Sequence, residues 1–129
     1  MIVLDTCAII WDALKTSELS PLATKAIKDA KNEIIICDIS FWEISMLIKR
    51  KRLEVGDTAS GFIKTLLQSR SFHIQEITPE IAELSVNLGA EINNDPADRL
   101  IAATSILRNA PVVTADQNLR DATLLETIW

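Results

Sequence analysis

Glycine and proline are scarce, with three and four residues in a chain of 129, and no run of 18 apolar residues occurs. Flexible linkers, low-complexity tracts and membrane-spanning helices are therefore not expected. Cysteine is limited to Cys7 and Cys37, which lie far apart without Cys-x-x-Cys spacing. That spacing argues against a structural zinc site and predicts two buried thiols; it does not specify a disulfide. Histidine occurs once, as His73, so a metal site in this chain must be built from oxygen ligands, which favours Mg²⁺ or Mn²⁺ over zinc. The amino terminus, Met1-Ile2-Val3-Leu4-Asp5, has neither the basic head nor the cleavage site of a signal peptide, and a cytoplasmic protein is expected.

Positive charge is also in short supply, with 13 basic against 18 acidic residues and a net charge of -5. Such a chain repels nucleic acid at long range, so any nucleic-acid chemistry requires cations or a local basic strip. Lys49-Arg50-Lys51-Arg52 is such a strip, and its simplest reading is a solvated helix end at the negative pole of the helix dipole. Hydrophobic residues make up 48% of the chain, enough for one domain over residues 1–129 with a core that needs no covalent staples.

The pattern of elements alternates. Ile2-Val3-Leu4 reads as a buried strand ending at Asp5-Thr6, followed by a helical stretch through Trp11 to about Leu14. Ser20-Pro21 opens an amphipathic helix with Leu22, Ala26, Ile27 and Ala30 on one side. Glu33 to Cys37 is a second apolar strand, and Ser40-x-x-Glu43 matches a capping box at the head of a helix over Phe41 to Arg52. Gly56-Asp57 breaks the chain before a helix near Thr58 to Ser69. Phe72 to Ile77 alternates in the manner of an edge strand, which places His73 on its exposed side. A helix follows from Glu80 to about Ile92. Asp95-Pro96 opens another that runs to Leu107 or Arg108. Ala110 to Thr114 is a fourth strand, a short turn or helix spans Asn118 to Asp121, and Thr123 to Ile128 adds a final short strand. The fold class is α/β, with a parallel sheet of four or five strands covered by helices on both faces.

In open parallel sheets, ligands bind outside the carboxyl ends of the strands, where strand order reverses. Asp5 and Asp116 each follow a strand, Glu43 lies in the first turn of the helix after the second strand, and Asp98 opens the helix that leads into the fourth. The extra helix before it returns the chain to the edge where Asp98 is needed. Carboxylates gathered there raise one another's pKa, and a hard divalent cation resolves the conflict. One or two such ions activate water and neutralise a phosphodiester during in-line attack. Each acid also has a structural role open to it: Glu43 and Asp98 as third-position helix acids, Asp5 and Asp116 as caps. Asp12 lies near the same edge, and Asp38 and Asp95 suit turn or cap roles better than metal binding.

Four segments carry a resemblance: Leu4-Asp5-Thr6, Phe41-Trp42-Glu43-Ile44, Asp95-Pro96-Ala97-Asp98-Arg99-Leu100-Ile101-Ala102 and Val113-Thr114-Ala115-Asp116. In this order and in a chain of this length, they resemble the PIN-domain family, specifically the small VapC-type toxins of toxin–antitoxin pairs. The resemblance implies a metal-dependent endoribonuclease that cuts structured RNA, such as transfer RNA or a ribosomal RNA loop, and arrests translation. It implies Asp5, Glu43, Asp98 and Asp116 as the acids that bind Mg²⁺ or Mn²⁺, with Thr114 and Thr6 ordering the site. It also implies a homodimer and a cognate VapB-type antitoxin whose carboxyl-terminal segment covers the groove. Asn93-Asn94 departs from the histidine that many relatives carry there, a change expected to affect packing more than metal binding. Trp11 is placed to stack on an RNA base or to pack half-buried on the core. Lys49, Arg50 and Arg99 are candidates for phosphate contacts or for pairing with the acids, although neighbouring helix residues point apart and a partner for Arg99 is expected elsewhere.

Three rival readings remain open at the level of sequence. A receiver-like phosphoacceptor domain requires a late lysine that the chain lacks. A haloacid-dehalogenase-like phosphatase requires Asp-x-Asp where Asp5-Thr6-Cys7 stands. A degenerate PIN scaffold that only binds a partner is opposed by acids at all four places.

Overall fold

The computed structural model describes residues 1–31 and 33–129. Its sheet has five strands, all parallel: β1 (Ile2–Leu4), β2 (Ile34–Cys37), β3 (His73–Gln75), β4 (Val112–Val113) and β5 (Thr127–Ile128), in the order β3-β2-β1-β4-β5. The helices are α1 (Thr6–Leu14), α2 (Pro21–Ala30), α3 (Ile39–Lys49), α4 (Ala59–Gln68), α5 (Pro79–Asn87), α6 (Pro96–Arg108) and α7 (Gln117–Asp121). The five-strand form of the expected sheet is the one found. Strand order reverses between β1, from which the chain builds outward through β2 to β3, and β4, from which it builds the other way. The crevice between β1 and β4 is thus the topological switch point.

Apolar runs form the central strands because both faces of the sheet are covered. Ile2, Leu4, Ile34, Ile36 and Val113 face a cluster with Ile9, Ile27, Ile44, Phe62 and Leu66 from α1 to α4. The alternate residues Val3, Ile35, Cys37 and Val112 pack instead against Ile101 of α6. This period of two separates two cores with one sheet between them. Among the described residues, no helix is long and apolar enough to cross a membrane.

Several boundaries move from their expected places. In α2 it is Ala23 and Ile27 that are buried, while Leu22 is 61% exposed. The capping box at Ser40 does not form: α3 begins at Ile39, and its cap residue Asp38 makes no side-chain capping bond. Ser40 is fully buried and its hydroxyl is committed elsewhere. Strand β3 is shorter than Phe72 to Ile77 because it pairs only with β2, but it is the expected edge, and His73 is exposed. Helix α5 stops at Asn87, short of Ile92. Cys37 is buried as expected, whereas Cys7 is exposed.

Arg99 fastens the stretch between α5 and α6. Its Nε donates to the Ser85 carbonyl at 2.8 Å and its Nη1 to the Ile92 and Asn93 carbonyls at 2.9 and 3.2 Å. Its Nη2 donates to the Leu88 carbonyl. These carbonyls belong to the end of a helix and a turn, where no backbone partner is supplied. One planar guanidinium satisfies all four, a task that a point ammonium cannot perform. We expect Arg99→Met to lower stability by about 2–4 kcal/mol, since several carbonyls lose a charged donor, and Arg99→Lys to recover little of it. Urea unfolding followed by circular dichroism measures both; an unchanged midpoint in Arg99→Met removes this role.

Candidate active site

A cavity of about 980 Å³ opens at the carboxyl edge of the sheet, over the switch point. Asp5, Glu43, Asp98 and Asp116 all line it, and so does Asp95. Each arrives by a separate local rule. Asp5 ends β1 and caps α1, its Oδ1 accepting from the Thr6 amide at 2.7 Å. Asp116 ends the β4 segment and caps α7, accepting from the Leu119 amide at 3.0 Å. Asp95 caps α6 through the Ala97 amide at 2.9 Å, which sets Asp98 at the third helical position. Glu43 is held in the first half of α3, one turn beyond its start. The capping roles open to Asp5 and Asp116 are therefore real, and they coexist with a place on the cavity wall.

The side chains between the acids are polar and tightly committed. Thr114, fully buried, donates its hydroxyl to Asp5 Oδ2 at 2.7 Å, and its oxygen accepts from the Asp116 amide at 3.0 Å. It thereby ties the ends of β1 and β4 together. The Thr6 hydroxyl donates to Glu43 Oε1 and shares a 2.9 Å hydrogen bond with Ser40. Both threonines thus bond directly to acids of the cavity. Asn93 was expected to matter for packing; instead its Nδ2 donates to Asp98 Oδ2 at 2.8 Å, and its Oδ1 accepts from the Asp95 amide at 2.8 Å. Asn118 Oδ1 accepts from the Asn93 backbone amide at 2.9 Å. Asn93 and Ser40 are the neighbours of the acids that sequence reasoning missed. For Ser40 the signal was present but matched a capping box.

Electrostatics record how closely the acids share this space. Asp5 is 8% exposed. Burial pushes its carboxyl above the ordinary range, against the hydrogen bonds from Thr114 and Thr6, and Asp116 and Asp95 push it further. Asp98 is raised to about 7, first by burial and then by Asp5, Asp95 and Asp116, while Asn93 opposes the shift. Glu43 is raised by burial, opposed by Thr6, with Asp5 and Asp95 adding to it. The Cys7 thiol is pushed up to about 11 by partial burial and then by Asp5, Glu43, Asp98 and Asp116. Among the described residues, no three such groups already stand in metal-coordinating geometry. The donor set nevertheless suits a hard cation: it is all oxygen, mutually repulsive, and pushed toward its neutral form by burial first and by that repulsion second.

The other candidates sort clearly. Trp11 lines the cavity but is half-buried, its ring 5.7 Å from that of Trp129, and it packs on the main core. Arg99 turns away from the acids to the four carbonyls already described, which removes it from phosphate contact. Asp12 pairs with Arg70 at 3.1 Å and does not line the cavity. Arg50 does line it, at the far end of α3 from Glu43. The exposed His73 is not among the lining residues.

The PIN domain family matches residues 2–124 of the chain. Ribonuclease VapC22 of Mycobacterium tuberculosis (strain ATCC 25618 / H37Rv) is 31% identical over 121 residues, which cover 92% of this chain and 89% of that protein. Among solved structures, VapBC2 from Rickettsia felis, bound to a DNA fragment from its promoter, has a TM-score of 0.72 at 18% identity, covering 98% of this chain and 97% of that one. A toxin–antitoxin complex from Klebsiella pneumoniae has a TM-score of 0.67 at 21% identity, covering 96% and 94%. At these identities the solved structures speak for the fold, while the family match and the ribonuclease relative speak for descent. The chain belongs to the PIN-domain family, alongside its VapC-type ribonucleases.

Proposed function

We propose that this protein is the endoribonuclease toxin of a toxin–antitoxin pair, hydrolysing phosphodiester bonds in structured RNA with the help of Mg²⁺ or Mn²⁺. The observation that carries the reading is the shared cavity at the switch point, lined by five acids from four separate segments, in a chain 31% identical to a ribonuclease. A cytoplasmic location, a homodimer and a VapB-type antitoxin over the cavity belong to the same proposal. The antitoxin is supported by the toxin–antitoxin complexes among the structural neighbours.

Asp5, Glu43, Asp98 and Asp116 would hold the cation. When bound, it supplies charge neutralisation at the phosphodiester and acidifies water for attack. The chain's own residues do the rest. Thr114 fixes the orientation of Asp5 and, through the Asp116 amide, the start of the loop that carries the fourth acid. Thr6 couples Glu43 to the start of α1, so the acids of β1 and α3 move as one unit. Asn93 holds one oxygen of Asp98 and favours its ionised form. These contacts are the outer-shell support that metal-binding carboxylates need.

Asp98→Asn is expected to reduce cleavage of RNA in Mg²⁺ or Mn²⁺ by about 100-fold or more, the scale on which one transition-state group is lost, with circular dichroism confirming the fold. Equal cleavage by both proteins removes the site assignment. Thr114→Val is expected to lose about 10- to 100-fold in activity, as outer-shell substitutions do; full activity would show that Asp5 needs no such partner.

Folded Asp98 keeps its proton up to about pH 7, whereas the unfolded chain releases it near 3.8. The folded state therefore binds more protons in that window, so stability falls as pH rises through it. In chelator, the thermal midpoint should drop between about pH 4 and 7 and level off above, and MgCl₂ should flatten the drop because the cation replaces the proton. A profile indifferent to Mg²⁺ would count against metal binding at these acids.

A further inference from the structure

The cavity is not uniformly acidic, and its variation runs along a single helix. Trp42, Met46 and Arg50 of α3 line it at spacings of four, with Glu43 and Leu47 beside them. Residues so spaced share one face of a helix. The wall passes from carboxylate at Glu43, through an apolar section, to the Arg50 guanidinium at the carboxyl end, where Lys49, Lys51 and Arg52 adjoin it in sequence. Trp42 is 60% exposed, the largest side chain left open in the protein, whereas Trp11 and Trp129 pack against each other and the core. An indole left in water at the lip of a cavity stabilises nothing in the core and suits a planar partner.

The basic end is built as firmly. Arg50 and Lys51 terminate α3 with the Lys51 amide bonded to Ile48 and the Arg52 amide to Leu47, and Lys51 takes a left-handed φ of 56°. This is the Schellman arrangement, with a lysine where glycine is usual. All four residues Lys49 to Arg52 are exposed, and among the described residues none pairs with a carboxylate. In a chain of net charge -5, four cations in a row that spend nothing on their own acids are complementary to an external polyanion.

We infer that α3 is the substrate rail of this site: Trp42, backed by Met46, stacks an unpaired nucleobase next to the bond to be cut, and Arg50 with its basic neighbours holds a phosphate farther along the same strand. The inference rests on the endoribonuclease reading and places an unpaired stretch of the RNA substrate along this helix. Only an unpaired base can present its face to an indole; a base inside a duplex is covered on both sides by its neighbours. Seven residues of helix separate Glu43 from Arg50, about 10 Å at 1.5 Å per residue. At about 3.4 Å per stacked base step, the phosphate on Arg50 lies at most about three nucleotides from the acids.

The test uses the full-length Asp98→Asn protein in Mg²⁺, so that probes bind without being cut, with three probes: a uridylate dodecamer, an adenylate dodecamer and a 12-base-pair RNA duplex. Indole fluorescence should be quenched by the single strands and little by the duplex, and the quenching should vanish in Trp42→Phe. Trp42→Ala should weaken single-strand binding about 10- to 100-fold, the range for loss of one stacked base, and Trp42→Phe much less. Arg50→Gln should reduce the slope of log affinity against log salt by about one contact. Because Trp42 is exposed, these variants should keep their circular dichroism spectra.

Unchanged single-strand affinity in Trp42→Ala, or equal binding of the duplex, overturns the inference and assigns the apolar wall to a protein segment instead. If the unaltered protein cleaves RNA while Trp42→Ala binds normally, the rail fails and the nuclease reading stands. If it neither cleaves nor binds any probe, both fail.

Discussion

A carboxylate that is 8% exposed at the end of a central strand is the constraint on which the site depends. Asp5 lies where β1 meets the reversal of strand order, and burial there penalises its charge. The protein answers with two donors, the Thr6 amide and the Thr114 hydroxyl. The second comes from the strand on the other side of the switch point, so the parallel register of β1 against β4 and the polarity of the site are one fact. Leu4 pairs with Val113, and the residues that follow them, Asp5 and Thr114, meet side by side.

The remaining acids are placed by helix starts, each a local and inexpensive device. Asp95 and Asp116 spend oxygens on backbone amides, which fixes where Asp98 and the α7 turn stand. Helix α3 differs: it carries Glu43 without using it as a cap, and its hydrogen bond goes instead to Thr6 on a neighbouring helix. Asp38, at the helix start, makes no capping bond and has one oxygen, Oδ1, buried and unpartnered. Local capping is given up at α3 in favour of a contact between segments, a common sign that a helix has been positioned for a site and not for its own stability.

Much of the fold was legible because its signals are local. Apolar triplets and quartets gave the central strands, Ser20-Pro21 and Asp95-Pro96 gave helix starts, and the alternation gave the layers. The four acids were legible because each follows a strand or opens a helix on the same edge. Where the reading failed, a distant partner outbid a neighbouring one. Ser40 looked like a cap but bonds Thr6 from another helix. Asn93 looked like packing but holds Asp98. Arg99 adjoins Asp98 in sequence, yet four carbonyls of the preceding turn claim it. The exposure of Leu22 and the burial of Ala23 turn on one residue of helix phase, which an amphipathic pattern with alanines on both sides does not fix.

The diversion of Arg99 has an outcome beyond the turn it fastens. The cation that adjoins Asp98 in sequence is withdrawn into backbone carbonyls, so it neutralises none of the acids on the cavity floor. A polyanion approaching that floor meets repulsion until small positive ions have settled there. For the proposed reaction this favours a sequence of arrivals, metal first and nucleic acid second, and the metal-free protein is a poor host for RNA in its own right.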